Sequence, residues 1–296
     1  MSSDDFVSVI MPTYNHGHLI ADSIQSVINQ THHHWELLIV NNYSNDDTID
    51  VVNNFNDERI RVINFFNNGI IASSRNVGIR ESNGEYLAFL DSDDLWVPDK
   101  LEKQLKVFEK NKKIVLCSSN CDQFPIGQKN MLKMFTSKYV RLSKLFLRND
   151  VLNSSVILKR KIINEIGYLN ESSEIRTVED FHYWIKIAIH YPNAIFIMKD
   201  RLLKYRIHGS NQSGNTIAAL VEKHNKIMKI IQEYKATIDV NSMKIEEKLK
   251  KRFNEEILRT NFYNNKNFSI LMKSNEVSFF TKFFIVFKYF VRKFWT

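Results

Sequence analysis

The chain has 296 residues, of which 41 are Lys or Arg and 33 are Asp or Glu, giving a formal net charge of +8. Its 44% hydrophobic and 25% charged residues are ordinary for a folded protein with a sizeable core, which excludes an intrinsically disordered chain. The positive balance indicates an anionic partner such as a nucleotide, an acidic lipid surface or a nucleic acid.

In the first part of the chain, short apolar stretches alternate with helical patterns. Four apolar stretches predict strands, at 6–11, 35–40, 61–65 and 86–90. Apolar residues at helical spacing predict helices near 20–30 and 49–55. This alternation indicates a mainly parallel, doubly wound α/β sheet, and such sheets bind ligands at the carboxyl ends of their strands. Neither of the two common glycine-rich phosphate-binding sequences is present, so a dinucleotide-binding fold or a P-loop is not expected.

The strand predicted at 86–90 ends in three carboxylates, Asp91, Asp93 and Asp94. A buried strand that brings these acids to one edge concentrates negative charge, which is costly unless a cation neutralises it. Clustered oxygen ligands suit hard divalent ions such as Mg²⁺ or Mn²⁺, and such an ion suits a diphosphate. The alternative is a strand followed by an acidic helix cap, because Asp is a good N-cap and Pro98 comes early in the next segment.

Beyond Pro98 the predicted elements are a helix to about Lys110, a strand at 114–118 and an extended segment at 151–158. Residues 122–134 have little periodicity and are predicted to form a loop, and 165–167 to end a helix at a glycine. Residues 178–188 predict a helix whose first turn holds Glu179 and Asp180. Carboxylates there also simply stabilise a helix through its dipole. A strand-like piece at 201–207 then leads into His208.

The C-terminal part of the chain has a different composition. Residues 217–260 are rich in Lys, Glu, Ile and Leu with almost no Gly or Pro, which predicts long helices. Residues 279–296 are crowded with aromatic side chains and carry four basic residues and no acid. Because Lys282 and Lys288 count against a spanning helix, we expect a basic amphipathic helix in the interface of an anionic membrane. The alternative is a helix that docks on the core or on a dimer partner.

Five motifs, in order and spacing, resemble those of family 2 glycosyltransferases. They are Val7 to Asn15, the polar loop 41–48, Arg75-Asn76, Asp91-Ser92-Asp93-Asp94 and Glu179-Asp180. Five ordered motifs are far more specific than any one, and the resemblance covers about residues 6–213. It implies a bacterial member with the GT-A fold. We therefore predict a GT-A nucleotide-sugar-binding and catalytic domain over 1–215 and a helical C-terminal extension over 216–296.

The resemblance also implies which residues hold the donor, because in this family the turn after the first strand and the loop after the second bind the nucleotide. The implied nucleotide-sugar contacts are Pro12, Thr13, Tyr14, Asn42, Arg75, Asp91 and Ser92. Arg75 would support the diphosphate or the acidic cluster, or form an ordinary salt bridge. Asp93, Asp91 and His208 are the implied ligands of Mn²⁺ or Mg²⁺, although histidine is also simply a common loop residue.

Glu179 and Asp180 match the position of the family's catalytic base, with Asp180 the favoured residue. A carboxylate there takes the proton from an acceptor hydroxyl as this attacks the anomeric carbon. One base and direct attack imply inversion, and the metal would neutralise the leaving diphosphate. The implied activity is that of a metal-dependent inverting, hexosyltransferase-like enzyme. Its donor would be a UDP-sugar, and its acceptor a lipid-linked or polysaccharide glycan.

One departure from the family lies in the polar loop, where this chain has Asn41-Asn42 and family members usually carry an Asp. A carboxylate accepts the imide proton of uracil, whereas Asn both accepts and donates, so the base preference is in doubt more than the activity. The alternative function is a catalytically silent nucleotide-sugar-binding scaffold, which the intact Asp91, Asp93 and Asp180 oppose. A nucleotidyltransferase would carry a Gly-rich basic loop, and a nucleic-acid binder is disfavoured because basic residues are interleaved with acids.

We expect the protein to act in surface glycan synthesis, for example of lipopolysaccharide, at the inner face of a bacterial inner membrane. The residues from Met1 to Asp5 are polar and acidic and are followed by a strand-length apolar run, so no secretory signal peptide is expected. The tail 279–296 would hold this cytoplasmic protein on the anionic membrane surface beside its acceptor. A homodimer is left open.

Overall fold

The computed structural model describes residues 5–124, 136–208, 217–234 and 242–265. The chain divides into two units, Met1–Gly209 and Ser210–Thr296. A catalytic domain over 1–215 with an extension over 216–296 stays a prediction. The predicted membrane-binding tail at 279–296 lies outside the described residues.

Within the described residues, nine strands form one sheet in the first unit. In chain order they are β1 (Val7–Thr13), β2 (Trp35–Asn41), β3 (Ile60–Asn64), β4 (Tyr86–Phe89), β5 (Leu95–Trp96), β6 (Leu116–Phe124), β7 (Lys138–Tyr139), β8 (Ile157–Lys159) and β9 (Ile195–Arg206). Across the sheet the order is β3-β2-β1-β4-β8-β6-β9-β5, with β7 beside β9.

The strands β3, β2, β1 and β4 run parallel to one another, as the alternation of strands and helices predicts. All seven residues of β1 are buried, so both faces of this strand are covered, which explains its unbroken apolar run. The rest of the sheet is mixed, because β8 is antiparallel to β4 and β6 while β9 is parallel to β6. The predicted α/β class is therefore confirmed.

The helices of the first unit cover this sheet, and those of the second unit follow it in the chain. They are α1 (Gly17–Ile28), α2 (Thr48–Asn53), α3 (Ile71–Glu81), α4 (Lys100–Lys110), α5 (Leu142–Leu145), α6 (Lys161–Ile166), α7 (Glu179–His190), α8 (Ile217–Tyr234) and α9 (Ser242–Asn265). Helix α3 was not predicted. Its buried face is largely polar and includes Ser74, Arg75 and Asn76, so it lacks the apolar periodicity that identifies a helix.

Two further segments differ from the prediction. Strand β6 extends to Phe124, so the predicted loop at 122–134 begins within a strand, and the remainder from 125 lies outside the described residues. The segment 151–158 is not extended throughout, because a 3₁₀ turn at Asn153–Ser155 precedes β8. This turn is fixed from both sides. Asp91 N donates to Ser154 Oγ at 3.2 Å, and Trp96 Nε1 donates to the Ser154 carbonyl at 2.6 Å.

The second unit contains the long helices predicted over 217–260. Within it α8 and α9 contact each other, and the rings of His224 and Phe253 stack with centroids 4.0 Å apart. In the part of the chain that the structure describes, no helix is long and apolar enough to cross a membrane.

Candidate active site

The candidate site lies at the carboxyl ends of the parallel strands, where the turn after β1 meets the loop after β2. Thr13 lies opposite Asn41 in the register, and Asn42 N donates to the Thr13 carbonyl at 3.0 Å. The two segments are joined again beyond this point. Asn15 N donates to Ser44 Oγ at 2.9 Å, and Asn15 Oδ1 accepts from Asn45 N at 2.9 Å. The structure thus brings together the two segments that were expected to hold the donor.

Within the turn after β1 the three predicted donor contacts differ in exposure. Pro12 is buried inside β1, and Thr13 is also buried, with an Oγ1 that has no hydrogen-bond partner among the described residues. Tyr14 is 51% exposed. Asn15 has φ +52°, a left-handed conformation that Asn adopts more readily than most residues, and it reverses the chain direction after Tyr14. Tyr14 is therefore the side chain of this turn that is open to a ligand.

The two asparagines that depart from the family pattern both build the loop after β2. Asn41 is buried, donates from Nδ2 to Asn64 Oδ1 at 2.7 Å, and accepts from Ser44 N at 3.0 Å. Asn42 Oδ1 accepts from Asn67 N at 2.9 Å. The side-chain oxygen of Asn42, a predicted contact of the nucleotide, thus already accepts one hydrogen bond from the protein.

The three carboxylates after β4 have three different partners. Asp91 Oδ1 accepts from Arg75 Nη2 at 2.9 Å, and Asp93 Oδ2 accepts from His208 Nε2 at 2.8 Å. Asp94 is 1% exposed and accepts from Arg206 N at 2.9 Å. Burial, together with the negative charges of Asp93 and Asp91, raises the pKa of Asp94 well above its usual range. Asp94 is therefore a structural group, and Asp91 and Asp93 are the more accessible acids.

Ser92 is 2% exposed and anchors the acidic loop to α1. Its Oγ lies 2.7 Å from His16 Nδ1, and its carbonyl accepts from Ser23 Oγ at 2.9 Å. The His16 ring also packs edge-on against the ring of His208, with centroids 6.2 Å apart. Burial lowers the pKa of His16 despite the opposing charge of Asp93. Ser92 thus holds the acidic loop in place. His16 was not predicted as a site residue, because its only signal in the sequence is its position in the turn after β1.

A divalent cation fits the residues around Asp93. A carboxylate oxygen and an imidazole nitrogen converge there, and both are ligands that Mn²⁺ accepts. In the described residues, no three His, Cys, Asp or Glu side chains form a ready-made metal site. Mg²⁺ in nucleotide enzymes is usually held by one or two carboxylates together with substrate phosphates. The site therefore fits a cation whose coordination a diphosphate completes.

Arg206, at the end of β9, fixes the acidic loop from the other side. Its Nε donates to the Asp93 carbonyl at 2.9 Å, and its Nη2 donates to Asp22 Oδ2 of α1 at 2.8 Å. Arg206 was not predicted as a site residue. Its contacts join positions more than a hundred residues apart, and no local pattern shows them.

The two acids in the first turn of α7 have different environments. The Glu179 side chain is 8% exposed, and its Oε1 accepts from Arg75 Nη1 at 2.8 Å. Asp180 is half-buried, with Oδ1 accepting from Phe181 N at 2.6 Å and Oδ2 lying 3.4 Å from Asn149 Nδ2. Of the two predicted catalytic acids, Asp180 is therefore the more exposed and the better placed to meet a substrate. Asn149, which is exposed, was also missed.

The sequence of the chain is similar to those of known glycosyltransferases. A family model described as "Glycosyl transferase family 2" matches residues 8–167. An Escherichia coli relative, the UDP-Glc:alpha-D-GlcNAc-diphosphoundecaprenol beta-1,3-glucosyltransferase WfgD, is 31% identical over 73% of this chain and 83% of its own. The putative teichuronic acid biosynthesis glycosyltransferase TuaG of Bacillus subtilis is 32% identical, covering 71% and 82%. An uncharacterized glycosyltransferase of Rickettsia bellii is 33% identical over 70% of this chain, which spans only 30% of that relative's length.

Solved structures show the same architecture at low identity. S. aureus TarS 1–349 in complex with UDP-GlcNAc has a TM-score of 0.66 and 21% identity, covering 91% of this chain and 76% of that one. The mannosyltransferase PcManGT from Pyrobaculum calidifontis, in complex with GDP-Man and Mn²⁺, has a TM-score of 0.60 and 17% identity, covering 96% and 79%. At these identities the likeness supports the fold.

Proposed function

The chain belongs to glycosyl transferase family 2, and we propose that it is a metal-dependent, inverting glycosyltransferase that uses a UDP-sugar donor. Its fold is of the GT-A type, as the sequence motifs predicted. One observation carries the proposal. The buried guanidinium of Arg75 contacts Asp91, in the acidic loop after β4, and Glu179, the neighbour of Asp180, so the predicted donor site and the predicted base lie side by side.

Asp180 is the proposed base, because it is the more exposed acid of the α7 turn, whereas Glu179 is buried against Arg75. The acceptor oxygen forms a bond to the anomeric carbon and gives its proton to the Asp180 carboxylate. The bond from that carbon to the diphosphate breaks, and its electron pair leaves with the nucleoside diphosphate. Displacement in a single step inverts the anomeric centre. Asn149, 3.4 Å from Oδ2, lies where it orients this carboxylate.

Asp93, Asp91 and His208 would hold the Mn²⁺ or Mg²⁺. A bound divalent ion supplies positive charge to the leaving diphosphate. The chain's own residues prepare for such an ion, because Arg206 and His16 fix the loop that presents the two aspartates. Asp91, Asp93 and Asp94 repel one another, so an added cation also relieves repulsion between like charges.

The proposed nucleotide is UDP, because the E. coli relative uses UDP-Glc and TarS is solved with UDP-GlcNAc. The exposed ring of Tyr14 offers a face for the base. Because the side-chain oxygen of Asn42 is held by Asn67 N, the amide is oriented, and we propose that its nitrogen donates to a uracil carbonyl. This arrangement replaces the carboxylate contact that family members usually make.

The proposed acceptor is a lipid-linked sugar, as in the name of the E. coli relative, or a growing polysaccharide. The basic aromatic tail 279–296 would keep the protein on the inner face of the membrane, where a lipid-linked acceptor resides. Relatives named for the synthesis of bacterial surface glycans support this setting.

Thermal unfolding with UDP, GDP, dTDP and CMP, each with and without Mn²⁺, tests the donor assignment. At about a hundred times the dissociation constant, a bound nucleotide stabilises a protein by about 2.7 kcal/mol. We expect this stabilisation with UDP and its loss on chelation. Transfer from UDP-glucose to a GlcNAc-diphosphate lipid tests the reaction itself. Binding without turnover would favour the silent scaffold, and no binding would contradict the proposal.

A further inference from the structure

Arg75 of α3 joins two parts of the site that are far apart in the sequence. Its Nη2 donates to Asp91 Oδ1 at 2.9 Å, and its Nη1 donates to Glu179 Oε1 at 2.8 Å. A guanidinium stays protonated in proteins, so Arg75 holds both carboxylates as a cation.

The exposures of these side chains show which of them can meet a ligand. Arg75 is 3% exposed and Glu179 is 8% exposed, whereas Asp91 is 32% exposed. Arg75 has given one Nη group to each carboxylate, and its Nε is buried. Arg75 and Glu179 are therefore buried side chains that connect two more exposed acids. These acids are Asp91, which Arg75 contacts, and Asp180, which follows Glu179 in the chain.

A buried ion pair of this kind is weak support for stability, because burying the charges offsets much of their attraction. What it does provide is a defined geometry, since one Nη of Arg75 binds Asp91 and the other binds Glu179. In catalysis this matters, because a shift of about 1 Å between reacting groups costs about a hundredfold in rate.

We propose that Arg75 is a positioning residue that sets the distance between the donor and the base. It binds the acidic loop after β4 through Asp91 and the first turn of α7 through Glu179. In this way it fixes the position of Asp180 relative to the anomeric carbon of the donor. Glu179 is likewise a positioning residue, not a second base. This inference rests on the proposed function, because it assigns Asp180 as the base.

The test compares Glu179→Gln, Asp91→Asn and the double variant in the full chain. UDP release from UDP-glucose with Mn²⁺ is measured with water as the acceptor. Glu179→Gln keeps the shape of the side chain but removes its charge. It should lower kcat about 100-fold while KM for UDP-glucose changes less than about threefold. Asp91→Asn also weakens the proposed metal site, so its own loss of kcat should be the larger of the two. Adding Glu179→Gln to it should cost little more, because the link through the guanidinium is then already broken.

Glu171→Gln is the matched control. Glu171 also binds α3, accepting from Ser73 Oγ at 2.8 Å and Asn76 Nδ2 at 2.7 Å, but it does not contact Arg75. Its kcat should equal that of the wild type, and Glu171→Gln combined with Asp91→Asn should have the kcat of Asp91→Asn alone. Arg75→Lys retains the charge but can reach only one carboxylate, and it should resemble Glu179→Gln. All rates are taken well below the unfolding midpoint, so that a loss of stability does not lower them.

Two results would overturn the positioning role while leaving the proposed function intact. One is a loss of kcat in the double variant that equals the product of the two single losses. The other is a rise in KM for UDP-glucose with unchanged kcat in Arg75→Lys, which would make Arg75 a direct donor ligand. A wild-type chain that releases no UDP and gains no stability from UDP with Mn²⁺ would overturn the proposed function, and this inference with it.

Discussion

His208 Nε2 lies 2.8 Å from Asp93 Oδ2, although 115 positions separate the two residues. His208 follows the end of β9, and Asp93 follows β4, so the mixed half of the sheet brings an imidazole to the acids that the parallel half presents. The Asp93 and His208 side chains are 17% and 18% exposed, so both are partly open to solvent. The pair is therefore accessible to an ion in a way that the buried Asp94 is not.

Asp93→Asn and His208→Ala should both abolish the part of the UDP stabilisation that depends on Mn²⁺. The neutral amide is a weaker ligand for a hard cation, and the loss of the imidazole removes the nitrogen ligand. The measurement is the shift in unfolding temperature with UDP, with and without Mn²⁺. Asp122→Asn is the control, because Asp122 is an exposed acid paired with Arg201. If Asp93→Asn kept the full Mn²⁺-dependent stabilisation by UDP, Asp93 would not be a ligand of the ion.

Asp180→Asn should lower the rate of transfer by about 10² to 10⁴-fold, which is the usual contribution of a general base. The dissociation constant for UDP should stay close to that of the wild type, because the proposed base acts on the acceptor and not on the nucleotide. Glu102→Gln, which changes an acid in the first turn of α4, controls for helix-dipole effects. Comparable turnover in Asp180→Asn would show that another group takes the proton.

The sequence predicted the parallel half of the sheet because β1, β2 and β4 are buried almost throughout and therefore read as continuous apolar runs. Helix α3 escaped prediction because its buried face consists of side chains that make specific polar contacts. Asn76, for example, donates to the Leu169 carbonyl at 2.8 Å. Nothing in the local pattern distinguishes such a helix from a polar loop.

The site could be predicted as a set of motifs but not as a geometry. Glu179 and Asp180 are adjacent carboxylates, so the sequence does not distinguish them. Arg75, 104 residues before Glu179, forms a buried ion pair with Glu179, and Asp180 is the more exposed of the two. Arg206 and Asn149 had no motif to mark them, because their contacts depend on how distant strands and turns pack. Residue type thus predicts the chemistry, and tertiary packing assigns the roles.

Gly78→Ala should destabilise the protein by about 1–3 kcal/mol through overpacking. A Cβ at this position would lie 2.5 Å from Ile10 Cγ2 of β1, so α3 would have to move away from the sheet. Chemical denaturation of Gly78→Ala, Ile10→Ala and the double variant is the measurement. The double variant should lose less than the sum of the single losses, because removing Cγ2 makes room for the new methyl. Additive losses would show that the contact is not the cause.

Lys100→Met should make the free energy of unfolding less dependent on pH. Lys100 is fully buried, and burial lowers the pKa of its amine well below the ordinary 10.5. The Trp96 ring, 3.8 Å away, favours the charged form by only about 2 kcal/mol, which is less than the cost of burying a charge. Between the lowered pKa and 10.5 the unfolded chain binds the extra proton. Stability therefore rises with pH there by up to about 1.4 kcal/mol per unit.

The measurement for Lys100 is urea unfolding between about pH 8 and pH 10. Lys103→Met is the matched control, since Lys103 lies on the same helix but is exposed and paired with Asp99. Lys103→Met should keep the wild-type slope, whereas Lys100→Met should flatten it and be neutral or stabilising at neutral pH. Equal slopes in the wild type and Lys100→Met would show that the buried amine stays charged.

Deleting residues 279–296 should abolish binding to anionic vesicles without removing the stabilisation by UDP. Each Lys or Arg near such a surface contributes about 1 kcal/mol, and the four basic residues of this tail lie among aromatic side chains that suit the interface. The measurement is cosedimentation with phosphatidylglycerol vesicles, with phosphatidylcholine vesicles as the control. Binding should weaken as salt is added, because screening shortens the reach of the charges.

A second variant separates the charge of the tail from its apolar content. Changing Lys282, Lys288, Arg292 and Lys293 together to Gln keeps every aromatic residue, so it should lose binding to phosphatidylglycerol but leave folding unchanged. If the truncated chain fails to fold and the unaltered chain does not bind phosphatidylglycerol vesicles, the aromatic residues serve the protein's own packing. The docked helix would then replace the membrane anchor. An electrostatic anchor requires both the folded truncation and the charge-dependent loss.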